Sequence, residues 1–287
     1  MEQGRDRKQE KRREQTPGQE LRRGSRRIQD QDQDLEQVQD NRYQSDMIIG
    51  RNPVLEAMRA KRPINKIFIA RGEREGSIKV VEAMAKDLGV VVQQVDRAKL
   101  DGMTGGGSHQ GVIAMAAVRE YVEVEDILDY AAERGEDPFL IILDEIEDPH
   151  NLGSIIRSVE AVGAHGVIIP KRRAVGLTPI VAKASSGAVE HIRIARVPNI
   201  VETIRTLKKR NIWVVGSDSG EGALVYTQAD LKGSIALVIG GEGSGMNRLT
   251  RERCDFVVNI PMLGKVNSLN AAAAAAVILF EIRRQRG

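Results

Sequence analysis

Three short stretches place side chains that could do chemistry at fixed spacing. In DEIEDPHNLGSIIRS, Asn151 and Arg157 lie on either side of Gly153 at the start of an expected helix. An amide there can orient a hydroxyl, and a guanidinium can hold a phosphate or a developing alkoxide. The plainer alternative is an N-cap at Asn151 and a solvated Arg157. In VIGGEGSGM, Gly240, Gly241, Gly243 and Gly245 would let backbone N–H groups approach a ligand closely. No Lys-Ser/Thr follows, so this is not a Walker A loop, and the glycines do not make GxGxxG. The acid in its middle, Glu242, would repel a phosphate and suits a ligand with hydroxyls or a cation. In PMLGKVNSLNAAAAAA, Ser268 and Asn270 precede a run of alanines, Ala271–Ala276. Ser268 and Asn270 could cap free N–H groups or reach into a site. The alanines give up packing area, which lets another segment of the chain, or a second subunit, come close.

Elements must bring these stretches together. From Pro138 onward, strand-like runs FLIILD (139–144), GVIIP (166–170), HIRIARV (191–197), IWVVGS (212–217), IALVIG (235–240) and DFVVNIP (255–261) alternate with helical segments such as NLGSIIRSVEAVG and IVETIRTLKKR. Continuous apolar strands separated by helices predict a parallel sheet covered on both faces. Ligands of such sheets bind beyond the carboxyl ends of the strands, where all three stretches fall. Residues 46–118 read as a smaller α/β unit, with Asn52-Pro53 expected to open a helix, strands INKIFIA (64–70), VVVQQV (90–95) and GVIAMAAV (111–118), and a flexible turn over 102–111. Residues 119–137 read as a linker helix. Residues 1–45 are rich in Arg, Gln and acids with almost nothing apolar, which predicts a disordered tail, solvating or touching RNA through its arginines.

The 287 residues suffice for two cores, and 41% hydrophobic with 29% charged residues is ordinary for a soluble globular chain. The net charge of +3 mildly favours an anionic partner. A single cysteine, Cys254, excludes an internal disulfide and any CxxC site. His109, His150, His165 and His191 show no HExxH spacing, so no metal is expected. No apolar run is long enough to span a membrane, and the N-terminus is too polar for a signal peptide and too acidic for a transit peptide. A cytoplasmic protein is the expectation.

Taken jointly, N-x-G-x-x-x-R, I-G-G-E-G-x-G and I-P-M-x-G-x-V-x-S-L-N-x-A resemble, in order and spacing, the three motifs of the SpoU/TrmH RNA ribose 2′-O-methyltransferases. The resemblance covers roughly residues 138–286. Upstream, IIGRNPVLEAM and SHQGVIA are similar to that family's small substrate-binding domain, an L30e-like RNA binder. The two-domain form most resembles the RlmB group, which methylates a guanosine of 23S ribosomal RNA. The resemblance implies a SPOUT-type α/β fold with a C-terminal trefoil knot, S-adenosyl-L-methionine as cofactor, an RNA partner and a homodimer with the active site near its interface. It implies Asn151, Arg157, Glu242, Ser268 and Asn270 around the acceptor hydroxyl. Cofactor contacts are implied at Gly216, Gly240, Gly241, Gly243, Ile260, Met262 and Leu269. Lys171, Arg172 and Arg173 follow a strand end on the same side and, with Arg51, are expected RNA contacts, solvated loop charges being the plainer alternative for the three. A guanidinium releases its proton only above pH ~12, so an electrostatic clamp is the favoured role for Arg157 and base action the alternative.

Other readings stand beside this one. A tRNA could be the substrate, or the fold could serve a non-catalytic RNA-binding assembly factor, against which the complete motif set argues. A dinucleotide-binding oxidoreductase would share the sheet and glycine-rich turns, but the failed GxGxxG spacing and the SLN helix argue against it.

Overall fold

The structure, a computed structural model, describes residues 47–72, 76–117, 119–220, 222–241 and 245–287. The expected tail, residues 1–45, lies outside the described residues, as do Glu242 and Gly243.

The first elements are β1 (Met47–Ile49), α1 (Arg51–Arg59), β2 (Ile64–Ala70), α2 (Ser77–Asp87), β3 (Val91–Val95), α3 (Arg97–Met103) and β4 (Val112–Ala116). Their strands form a mixed sheet in the order β1-β4-β2-β3, with β2 and β3 parallel and the other pairs antiparallel. Ile67 and Ile69 of β2 point to a core shared with Val54 and Met58 of α1 and with Ile78 and Val81 of α2.

The expected N-cap of α1 is corrected. Gly50, not Asn52, holds the cap position, at φ 104. The donor at Arg51 N is satisfied from a distance by Gln110 Oε1 at 3.0 Å. A cap supplied by a distant loop leaves Asn52 free to lie within the first turn. The stretch expected only as a turn begins inside a short helix, α3, whose Leu100 is fully buried.

The rest of the chain runs α4 (Val124–Glu133), β5 (Phe139–Asp144), α5 (Pro149–Ala161), β6 (Gly166–Pro170), α6 (Pro179–Ala184), β7 (Arg193–Val197), α7 (Ile200–Lys209), β8 (Trp213–Ser217), β9 (Leu224–Val225), β10 (Ile235–Gly240), α8 (Arg248–Arg253), β11 (Phe256–Asn259) and α9 (Ala271–Arg286). The strands make a seven-stranded sheet, parallel throughout, in the order β7-β6-β5-β10-β8-β11-β9. Period-two alternation sorts the side chains of β5. Phe139, Ile141 and Leu143 face one core with Ile155 and Ile156 of α5 and Ile278 and Ile282 of α9. Leu140 and Ile142 face the other, with Ile127 of α4 and Ile204 and Leu207 of α7. Every residue of β5 is buried, as a strand covered on both faces requires.

The segment expected as a linker is stitched into the larger sheet. Val122 N donates to Ile194 O at 3.0 Å, and Ile127 fills the space over Gly166, where any Cβ would lie 2.7 Å from it. Four short elements, β1, α6, β9 and α8, have no counterpart among those expected from the sequence, because two to six residues carry too little periodicity to register.

The alanines of α9 divide by face. Ala271, Ala272 and Ala275 are buried, while Ala273 is exposed together with Val277 and Phe280. The buried set belongs to the core against which α5 also packs. Leucine at Ala275 should therefore destabilise by about 1–3 kcal/mol through overpacking, whereas leucine at Ala273 should be neutral or mildly stabilising. Thermal melts of the two variants against the parent check this; equal melting points would contradict close packing at Ala275.

Candidate functional site

The carboxyl ends of β8, β10 and β11 surround a cavity of about 520 Å³. Ser217 ends β8 and Asp218 and Ser219 follow it, Gly240 ends β10 and Gly241 follows it, and Asn259 ends β11 with Ile260 and Met262 beyond it. Ser268, Leu269, Asn270, Ala271 and Ala274 close it from the start of α9. Of the expected cofactor residues, Gly240, Gly241, Ile260, Met262 and Leu269 are thus lining residues. Gly216 is not among them. It is buried under Met246, and a Cβ there would lie 2.6 Å from Met246 Cε. Its neighbours Ser217, Asp218 and Ser219 hold the strand end instead, a shift that sequence spacing does not register.

The glycines of β10 are required by protein backbone. A Cβ on Gly240 would lie 2.3 Å from Met246 N, and one on Gly241 would lie 2.4 Å from Glu145 O. Asp144, buried at the end of β5, accepts from Asn247 N at 2.9 Å and so ties the far side of the same loop to the sheet. Asp218 pairs with Arg251 at 3.3 Å and accepts from Ser219 N at 2.8 Å.

At the rim, two helix N-termini meet. Asn270 is the N-cap of α9, and its Oδ1 accepts from Ala272 N at 3.0 Å and Ala273 N at 3.2 Å. Its Nδ2 donates to Asn151 Oδ1 at 2.9 Å. The capping alternative for Asn151 does not hold, because Asp148 caps α5, accepting from His150 N and Asn151 N. Asn151 is buried, and its amide is directed at Asn270 instead. Each N-terminus carries a partial positive charge, so the place where the two asparagines meet favours an oxyanion or phosphate.

Arg157 is not brought to the cavity of its own chain. It is exposed, and its Nη1 donates to Ser186 Oγ at 3.2 Å. Ser268 lines the cavity and is exposed. Lys171, Arg172 and Arg173 are exposed at the carboxyl end of β6, with Arg173 paired to Glu145 at 3.1 Å. Arg51 lies apart, in the smaller sheet's first helix, where its Nε donates to Gln110 O at 2.8 Å.

A nucleoside cofactor needs acceptors for its hydroxyl and amino donors. Asn259 Oδ1, at the end of β11 beside the cavity, is a buried acceptor without a partner among the described residues. Such a group costs free energy unless a ligand or water supplies a donor. With the Asp218 carboxylate and the open strand ends nearby, the residues present fit a ligand that carries both hydroxyl and amino groups.

Comparison with known proteins decides the family. The sequence profile of the SpoU rRNA methylase family matches residues 138–280, and that of the RNA 2′-O ribose methyltransferase substrate-binding domain matches residues 47–122. A Bacillus subtilis protein, YacO, named for the TrmH family of tRNA/rRNA methyltransferases, is 50% identical over 243 residues, 85% of this chain and 97% of that protein. The chain belongs to the SpoU/TrmH family of RNA methyltransferases. Members of this family take their methyl group from S-adenosylmethionine. Two crystal structures share the fold: the SpoU methyltransferase AviRb from Streptomyces viridochromogenes with S-adenosylmethionine, at TM-score 0.69 and 26% identity over 83% of this chain and 89% of that one, and an S-adenosylmethionine-bound rRNA methyltransferase from Sinorhizobium meliloti, at TM-score 0.69 and 26% identity over 84% and 87%. The SpoU architecture comprises the parallel α/β sheet and the substrate-binding domain before it. The oxidoreductase reading falls with this assignment. Among the described residues no helix is long and apolar enough to cross a membrane, and no cluster of three or more His, Cys, Asp or Glu could hold a metal.

Two outcomes are expected here. Asn270→Asp keeps an N-cap acceptor but removes the donor to Asn151. It should melt near the parent, while Asn270→Ala should lose about 0.5–2 kcal/mol with the cap; methyl-transfer assays should find both impaired. Cys254 sits against Met246 beneath the site, and burial pushes its thiol up to about 12. A thiol held protonated is a poor nucleophile, so alkylation at about pH 8 should add no label to the native chain and one per chain in denaturant.

Proposed function

We propose that this chain transfers the methyl group of S-adenosylmethionine to a ribose 2′-hydroxyl of RNA, at a guanosine of 23S ribosomal RNA, as a cytoplasmic homodimer. The observation that carries the reading is the Asn270–Asn151 hydrogen bond at the mouth of the cavity. The 2′-O position rests on the substrate-binding profile over residues 47–122, and ribosomal RNA on the family description over residues 138–280.

Bound in the cavity, S-adenosylmethionine supplies an electrophilic sulfonium methyl. Asn259 Oδ1 and Asp218 would take hydroxyl and amino donors, with backbone groups after Gly240 and Ile260 and at Leu269 completing the seat. Asn270 has spent its carbonyl oxygen on its own helix, so its amide nitrogen is the half that can serve as donor. With Asn151 it orients the acceptor hydroxyl for in-line attack. Glu242 and Ser268 would hold the adjacent ribose atoms. The converging positive ends of α5 and α9 stabilise charge that develops on the attacking oxygen. Arg157 acts as a charged clamp on a neighbouring phosphate. Lys171, Arg172 and Arg173 would extend the phosphate track, and Arg51 would contact RNA on the small domain.

The homodimer is supported by large apolar side chains that the described residues leave exposed. Phe280, Val266 and Leu263 are 54%, 68% and 99% exposed. Leu263 and Val266 belong to the loop that borders the cavity, so a second copy on these side chains would cover the site edge and bring Arg157 near an interface. The stretch 260–270 is read as the threaded part of a trefoil knot. Support comes from the insertion of β10 between β5 and β8 and from the return of α9 to α5. The small domain is read as an L30e-like holder of folded RNA.

Arg157→Ala should reduce methyl transfer by about a hundredfold or more and leave S-adenosylmethionine affinity within a few-fold, measured by calorimetry with NAD as the negative control. Near-parental activity would overturn the clamp. Mapping 2′-O-methyl groups in ribosomal and transfer RNA, with and without the protein, tests the substrate; a site lost only from tRNA would replace the 23S assignment.

A further inference from the structure

The partner of Arg157 lies in a segment that none of the three motifs contains, SSGAVEH, residues 185–191. Ser186 Oγ accepts from Arg157 Nη1 at 3.2 Å. Ser186 at φ 53 and Gly187 at φ 89 form a left-handed pair that turns the chain out of α6 into the short 3₁₀ turn Ala188–Glu190. Such a conformation is costly for a residue other than glycine and persists only where the surroundings hold it.

Here the surroundings hold it from two sides. On one side, α6 is locked to α5. A Cβ on Gly153 would lie 2.5 Å from Ala184 Cβ and 2.9 Å from Ser185 N. On the other side, the turn is pressed against α1 of the small domain. A Cβ on Gly187 would lie 2.5 Å from Glu56 Cβ and 3.2 Å from Pro53 Cα. His191 Nε2 is 2.9 Å from Glu56 Oε2. Glu190, its side chain 1% exposed, pairs with Arg62 at 2.8 Å and Arg119 at 3.2 Å. Arg62 also donates to Ala117 O, at the end of the small sheet, and Arg119 to Ile192 O. A carboxylate this buried between two guanidiniums is a fixed point, because withdrawing either partner leaves a charge poorly compensated.

We infer that residues 185–191 are the joint through which the small domain sets Arg157, and that Ser186 is a positioning residue for its guanidinium. A long exposed arginine samples many rotamers, and fixing one costs entropy that a tether pays in advance. The hydroxyl that tethers Arg157 sits on a turn wedged between α5 and α1. A small domain seated on RNA therefore bears directly on the place where the guanidinium is held. The inference rests on the reading of Arg157 as a clamp.

The test compares Ser186→Gly, Ser186→Asn and Arg157→Ala in the full chain, by steady-state methyl transfer to ribosomal RNA, calorimetry with S-adenosylmethionine and thermal melts. Glycine suits φ 53 and removes only the hydroxyl, so Ser186→Gly should melt no lower than the parent. Its kcat should fall about tenfold, as for loss of one hydrogen bond to a charged group, with KM for RNA and cofactor affinity within about twofold. Asparagine tolerates the left-handed region and restores an acceptor, so Ser186→Asn should recover most of kcat. An inactive Arg157→Ala beside a fully active Ser186→Gly would overturn the joint and leave the clamp standing. An active Arg157→Ala would overturn the clamp itself. A Ser186→Gly variant that loses stability or cofactor binding along with kcat, or a Ser186→Asn variant with no recovery, would show a structural role only and also overturn the inference.

Discussion

The hydrogen bond from Asn270 to Asn151 is the constraint around which the larger domain is arranged. It joins the first turns of α5 and α9, two helices that reach the same point from distant parts of the chain. An amide has one acceptor end and one donor end. Asn270 commits its acceptor to Ala272 N and Ala273 N, so the donor is directed at Asn151 by the geometry of the helix start itself. Asp148 takes over capping of α5, which releases the Asn151 side chain for the contact. One residue therefore ends a loop, starts a helix and orients a partner across 119 residues of sequence.

That meeting demands close approach elsewhere, and small residues provide it for different physical reasons. Gly153 lets α6 lie against α5, where any side chain would strike Ala184. Gly240 and Gly241 let the loop after β10 fold back on itself and over Glu145. Gly187 serves a third purpose, since it combines a positive φ with contact against Pro53 and Glu56. Only the last needs glycine for its torsion angle; the others need it for the missing Cβ.

Much of this was legible in the residues, and the boundary of legibility has a physical cause. The run FLIILD announces a strand buried on both faces because burial is written in consecutive side chains. The motif that ends in Ser268-Leu269-Asn270 announces a helix start, because capping is local. What required the structure were contacts between segments far apart in sequence. The cap of α1 comes from Gln110, 59 residues on, so a local rule chose Asn52 wrongly. Gly216, expected as a cofactor contact, packs on Met246 from the loop after β10. Ser186 and Glu190 carried no signal at all, since a lone serine and a lone glutamate have meaning only through Arg157, Arg62 and Arg119.

The alanine run is explained by two surfaces rather than one. On the inner face, Ala271 and Ala275 continue into Ile278 and Ile282, one stripe at helical spacing that starts narrow and widens away from the site. The narrow end is where α9 borders the cavity and α5 at once, through Ala271 and Ala274 on one side and Asn270 on the other. A larger side chain there would compete for the volume a ligand needs. On the outer face, Ala273, Val277 and Phe280 make a second stripe that the described residues leave exposed, wholly or in part. An ordinary amphipathic helix would place charges there, and α9 does so only near its end, at the exposed Arg283 and Arg284, while Arg286 turns to the other side and donates to Gly233 O and Asp137 O. A helix with apolar residues on both faces suits two packing partners, and among the described residues only the inner face of α9 is packed.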